Sequence, residues 1–413
     1  MKAFKAMKKI FVCAIVLTMG LALTSCGNDD GAGGGGSEGV LRIGAITSLS
    51  GFLQTYGEDF QRGFYLGIEY FTNGTNTVAG RPIEILWEDT TNVPEVANER
   101  TMSLLERGVE IITGYASSGD AIASIPLFEE FRTVAVIDPA ASDLIISDGI
   151  WNEYVFRTGR TSGQDALAMV SVLLAAHPNG GATVATLAPD NTFGHSMAAP
   201  FIEAATAAGF NVVATEFPPF DATDFSPFLL RLRNEAPQYL YTIWSGPTNP
   251  WMQLLELDLM GAGITIITGA PERDALRFMI PLGQAGGIGF CVYYYTLPQN
   301  QPLNDWMVRR HFEEHGFAPD LFTSGGFAAA SAIITALEIT NGNTDPDVLI
   351  PAMRGMEFNT PTGMRYFRPE DHQAMQALFE IEFSWQEGDE YMKPLFRREI
   401  SMNEIRPPIL NGR

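Results

Sequence analysis

Lysine is almost missing from this chain. Of 413 residues only Lys2, Lys5, Lys8, Lys9 and Lys393 are lysines, and 48 acidic residues leave a net charge of -22. A phosphate-cradling loop needs a Gly-Lys-Ser/Thr triplet, and none exists here. So acidic a surface repels phosphate backbones, which excludes non-specific nucleic-acid binding. Cysteine is as scarce, with only Cys13, Cys26 and Cys291. Outside the glycine-rich stretch 26–39, where Gly35-Gly36-Ser37-Glu38-Gly39 has the spacing by composition alone, no serine sits in a Gly-x-Ser-x-Gly elbow. What remains is globular in composition, with 46% hydrophobic residues and enough length for two ordinary domains.

Four of the five lysines precede an apolar run from Ile10 to Leu23. As a helix that run would span about 21 Å, short of the roughly 30 Å core of a bilayer. A basic start and a short apolar stretch read as an export signal, residues 1–25. Leu23-Thr24-Ser25-Cys26 fits the bacterial lipoprotein pattern, with cleavage before Cys26 and lipid on its thiol. Cys13 would leave with the signal, so the folded part keeps Cys291 alone and has no intrachain disulfide. Residues 26–39, rich in glycine, read as a flexible tether reaching about 20 Å. The expected location is the outer side of a membrane in the cell envelope, lipid-anchored and not crossing it.

From Val40 short β-branched runs (41–46, 83–87, 110–114, 134–138) alternate with amphipathic stretches (58–71, 95–107, 121–131). This βα rhythm predicts an α/β fold with a doubly wound parallel sheet. It restarts after residue 158, with Ser162-Gly163-Gln164-Asp165 read as a capping box and strands expected at 183–187, 212–216, 239–243 and 264–268. A Tyr-rich strand is expected at 287–297, then helices near 303–316 and 324–340, the latter rich in small residues that suit tight packing against a sheet, and a strand at 378–385. Two such lobes in an exported chain predict a cleft between them.

In parallel sheets ligands sit beyond the carboxyl ends of the strands. The 110–114 strand runs into Tyr115-Ala116-Ser117-Ser118-Gly119 ahead of a helix. Hydroxyls and free N–H groups there suit a carboxylate, with Ser117 and Ser118 both candidates; a plain helix cap is the alternative. His311-Phe312-Glu313-Glu314-His315 matches a zinc-protease spacing, but its neighbours Arg309, Arg310 and Glu313 read as a solvated helix face.

Several local marks, in order and spacing, resemble the solute-binding lipoproteins of branched-chain amino-acid and amide ABC importers. They include Arg42-Ile43-Gly44-Ala45, Ser50-Gly51, Tyr56-Gly57, Gly80-Arg81-Pro82-Ile83, Phe156-Arg157-Thr158, Phe193-Gly194, Asp224-Phe225-Ser226-Pro227 and Glu370-Asp371-His372-Gln373. The resemblance covers nearly all of the chain after Val40. It implies a periplasmic binding protein of the first type, with crossovers near Thr158, Tyr295 and 364–368. Lobe 1 would then be residues 40–158 and 296–365, and lobe 2 residues 159–295 and 366–413. It also implies that the loop after the 110–114 strand holds a ligand carboxylate, that Ala141 offers backbone groups and Ser142 a hydroxyl, and that Tyr56 lines the pocket. Phe193 stands where the family usually carries Tyr, and Trp244 where close relatives have tyrosines. Ala270-Pro271-Glu272 matches a Gly-Pro-Glu whose Glu pairs with a ligand ammonium. The implied function is transport without catalysis: a monomeric receptor for a small branched-chain-like amino acid, serving a permease and ATPase and using neither cofactor nor metal. Amides, urea, aromatic acids, or sensing without transport are the alternatives.

Overall fold

The computed structural model describes residues 39–246, 248–269, 272–280 and 287–412. The expected signal, Cys26, the tether up to residue 38, and the pair Ala270-Pro271 lie outside them.

The first sheet contains β1 (Leu41–Thr47), β2 (Thr77–Val78), β3 (Arg81–Asp89), β4 (Ile111–Gly114), β5 (Val134–Ile137) and β6 (Val155–Arg157). Their order is β2-β3-β1-β4-β5-β6, parallel apart from the short β2. The second sheet takes β7 (Thr183–Leu187), β8 (Asn211–Glu216), β9 (Tyr239–Thr242), β10 (Thr265–Gly269) and β11 (Ile288–Cys291), all parallel. A third, antiparallel sheet of β12 (Glu357–Thr360), β13 (Gly363–Phe367) and β14 (Ala374–Met375) follows. β15 (Leu378–Ser384) and β16 (Lys393–Ile400) then join the free edge of β11 antiparallel. The protein is therefore a mixed α/β chain in two lobes, each built on a mainly parallel sheet with its own apolar core.

Four sequence expectations shift in register. The chain returns to the second sheet between Met375 and Leu378, later than residues 364–368, because β13 and β14 pair with each other first. The capping box belongs to Thr161 and Gln164, one residue ahead of Ser162: Thr161 N–H donates to Gln164 Oε1 and Gln164 N–H to Thr161 Oγ1. The Tyr-rich strand stops at Cys291, and Tyr293 already packs with Leu66, Met307 and Phe327 of lobe 1. The small residues of the Leu321–Ile339 helix serve another helix, Gln54–Phe71, more than a sheet. A Cβ on Gly63 would stand 1.8 Å from Thr323 O, and one on Gly326 would stand 2.0 Å from Phe60 O. Two backbones approach this closely only where side chains are absent.

Buried polar groups hold the crossing segments together. Arg157, fully buried, donates from Nη1 to Ser142 O (2.6 Å) and from Nε to Gln373 Oε1 (2.6 Å). Gln373 Nε2 donates to Gly159 O (2.7 Å), and Arg365 Nη1 to Thr158 O (2.8 Å). Arg368 pairs with Asp371 and donates from Nη1 to Pro407 O (2.7 Å), tying residues 407–408 to the segment between β13 and β14. Cys291 ends β11 with 1% of its surface exposed, and burial raises its thiol pKa.

Candidate functional site

β4 ends on Gly114 at φ +115°, where a Cβ would meet Ile46 O at 2.1 Å, so glycine is required. Tyr115 follows at φ +73°, an unusual value held by its buried ring and a 2.7 Å bond between its hydroxyl and Thr101 Oγ1. That reversal brings Ala116, Ser117 and Ser118 to the wall of a cavity of about 410 Å³ between the lobes. Ser117 caps the Ser118–Glu130 helix, its Oγ accepting from Asp120 N–H (3.4 Å). Ser118 Oγ accepts from Ser142 N–H (3.2 Å), stitching the loop after β4 to the loop after β5.

Of the expected site residues, Tyr56, Ser117, Ser118, Ala141, Phe193, Trp244 and Glu272 all line this one cavity. Ser142 does not. It is fully buried behind the wall, and its Oγ accepts from Leu144 N–H to cap the short 3-10 turn Asp143–Ile146. Ala141 is on the wall, but its carbonyl already accepts from the N–H (2.8 Å) and Oγ (3.0 Å) of Ser162.

Lobe 2 supplies Phe193 from the first turn of the Thr192–Ala207 helix, Trp244 after β9 and Glu272 after β10. Glu272 crosses the cleft: Tyr56 Oη donates to its Oε2 (3.2 Å), while the Tyr56 ring stacks on Phe322 at 3.9 Å. Burial, with the Glu272 carboxylate beside it, pushes the Tyr56 phenol well up. Phe52 of lobe 1 meets Phe220 of lobe 2 edge-on at 4.6 Å. Together with Tyr241 and Phe290 these rings give the wall a substantial aromatic share.

Sequence reasoning missed Arg160 and Asp165, which also line the cavity. Arg160 Nε donates to Asp165 Oδ2 (3.2 Å) and Nη1 to Pro139 O (3.2 Å). The strand-end rule could have found Arg160, since it follows β6 as Ser117 follows β4. The His311 motif is structural. Its Nδ1–H donates to Phe317 O (2.8 Å), and burial lowers the ring's pKa to about 4. Among the described residues no group of three His, Cys, Asp or Glu could hold a metal.

Burial raises Asp59, Asp120 and Asp165 to about 6 each. Each binds its proton more tightly in the fold than in the unfolded chain. Its contribution to stability is thus complete below the ordinary Asp value near 3.8 and fades as pH rises through about 6. Asp120→Asn removes one such group. Urea unfolding at pH 4.5 and 7.5 should show the variant gaining on its parent by on the order of 2 kcal/mol at the higher pH. A variant–parent difference that stays flat with pH contradicts this.

A family model described as periplasmic binding protein matches residues 40–388. The chain is 25% identical over 351 residues to Leu/Ile/Val-binding protein homolog 6 of Brucella melitensis, covering 82% of this chain and 86% of that one. A crystal structure of an ABC-type branched-chain amino acid transporter from Rhodopseudomonas palustris is 34% identical. It superposes with a TM-score of 0.80 and covers 90% of this chain and 100% of its own. A solute binding protein from R. palustris in complex with 3,4-dihydroxybenzoic acid shares the fold at 24% identity and a TM-score of 0.77, covering 88% and 98%.

Proposed function

The chain belongs to the periplasmic binding protein family, whose members bind solutes and are not enzymes, and from that premise we propose that it is the receptor of an ABC importer for a small apolar α-amino acid. One observation carries this reading. On the cavity wall Ser117, Ser118 and a helix N-terminus of lobe 1 are joined by the Glu272 carboxylate of lobe 2, while the Asp165 carboxylate on the same wall is already engaged by Arg160. An α-amino acid offers the matching pair. Its carboxylate suits Ser117, Ser118 and the positive end of the Ser118–Glu130 helix. Its ammonium suits Glu272, where a charge-assisted hydrogen bond is worth about 1.5–3 kcal/mol.

The closing bodies would be residues 40–158 with 296–375, and residues 159–295 with 378–412. A ligand that contacts both favours the closed arrangement by its differential affinity for it. Lipid on Cys26 would hold a monomer on the outer side of a membrane, within reach of a permease and its ATPase. A second reading is favoured by the wall itself. Phe52, Phe193, Phe220, Trp244 and Phe290 suit a flat ring, and the R. palustris protein just described holds an aromatic acid.

Calorimetry with L-leucine, L-phenylalanine, benzoate and an uncharged amide separates the two. The amino-acid reading expects binding of the first two and at least tenfold weaker binding in Glu272→Gln, about 1.4 kcal/mol. Binding of benzoate alone, indifferent to Glu272→Gln, would overturn it in favour of an aromatic acid.

A further inference from the structure

Arg273 follows Glu272 directly, yet it is off the cavity wall and reaches the other lobe. Its backbone N–H donates to Asp320 Oδ2 (2.8 Å), its Nη1 donates to Ala318 O (3.4 Å), and its guanidinium lies 4.7 Å from the ring centre of Phe317. All three partners belong to the turn that leads from the Pro302–His315 helix into the Leu321–Ile339 helix. That turn is fixed to lobe 1 from beneath. Asp320 caps the Leu321–Ile339 helix, its Oδ1 accepting from Leu321 N–H (2.7 Å). Arg62 of the Gln54–Phe71 helix stands 5.6 Å over the same Phe317 ring and pairs with buried Asp59.

We propose that Arg273 is a closure latch, a positioning residue that raises ligand affinity without touching ligand. The proposal rests on the reading of two lobes that close on a solute. Asp320 divides its two oxygens between its own helix and the backbone of lobe 2. The face of Phe317 takes a second cation only when the lobes meet. Because Glu272 and Arg273 are consecutive, one movement brings the carboxylate to the cavity and the guanidinium to the latch. None of these contacts involves a ligand atom, so they favour the closed arrangement in the empty and the loaded receptor alike and lower what a ligand must supply.

The test compares the parent with Arg273→Ala, Arg273→Lys and Phe317→Leu, each checked for native circular dichroism. Small-angle scattering of the ligand-free protein should give a larger radius of gyration for Arg273→Ala and Phe317→Leu than for the parent, with Arg273→Lys between. Stopped-flow binding of L-leucine should show dissociation about tenfold faster and association within about twofold, since a closed-state contact acts on the off-rate. The Arg273→Ala/Phe317→Leu double variant should add little to either single change, as expected of one shared contact. A radius of gyration unchanged in Arg273→Ala overturns the latch. Failure of L-leucine to bind counts against the ligand reading alone, because the scattering measurement needs no ligand.

Discussion

Arg368→Met is expected to cost about 3–5 kcal/mol in urea unfolding, the largest loss of any substitution considered. Arg368 and Asp371 are 1% and 0% exposed, so removing the guanidinium strands a carboxylate where water cannot reach it. The same guanidinium donates from Nε to Asp371 Oδ1 (2.8 Å), from Nη1 to Pro407 O (2.7 Å) and from Nη2 to Pro408 O (3.3 Å). Its loss therefore also frees the chain end. A double variant, Arg368→Met with Asp371→Leu, should recover most of the loss, because an apolar pair replaces a buried charged one at little net cost. A loss below about 1 kcal/mol in the single variant would show that the pair contributes nothing beyond its own desolvation.

Gly326→Ala should follow closely, at the top of the ~1–3 kcal/mol range of overpacked cores or beyond it. The added methyl meets the backbone carbonyl of Phe60 at 2.0 Å, and backbone yields far less readily than a side-chain tip. The Gln54–Phe71 and Leu321–Ile339 helices would have to part. Gly67 sits on the same seam, its Cβ position 2.6 Å from the Cβ of Ala330, so no slack lies alongside. Urea midpoints measure the effect; parent-like stability would mean that the helices separate freely. Gly108→Ala is the contrasting control, since nothing stands within 4 Å and only its positive φ is strained.

The βα alternation was legible because each parallel strand is an apolar run between amphipathic helices, as at 111–114 and 134–137. The small third sheet was not. Glu357 and Asn359 of β12 and Met364 of β13 face solvent, so neither strand reads as a buried run. Nor does a buried run mark the return to the second sheet, which follows Met375. The wall of the cavity was legible wherever a loop leaves the carboxyl end of a strand, as with Ser117, Trp244 and Glu272. Ser142 obeys that rule in sequence and fails it in space. Its hydroxyl is committed to Leu144 N–H, and only the fold reveals a commitment made within one turn. Arg160 depends on Asp165 and Pro139, which belong to different elements. The contact of Arg273 with Asp320 spans 47 positions and two lobes, beyond any local pattern.

The thiol sealed at the end of β11 has a practical use. A chain beginning at Val40 carries Cys291 alone, and a thiol both shielded and held protonated does not react with maleimides. A second cysteine introduced at an exposed position, such as Met252→Cys beside the cavity-lining Trp251, would therefore take a fluorescent dye at one position without prior removal of the native one. The parent sequence is in that respect ready to become an optical reporter of its own solute.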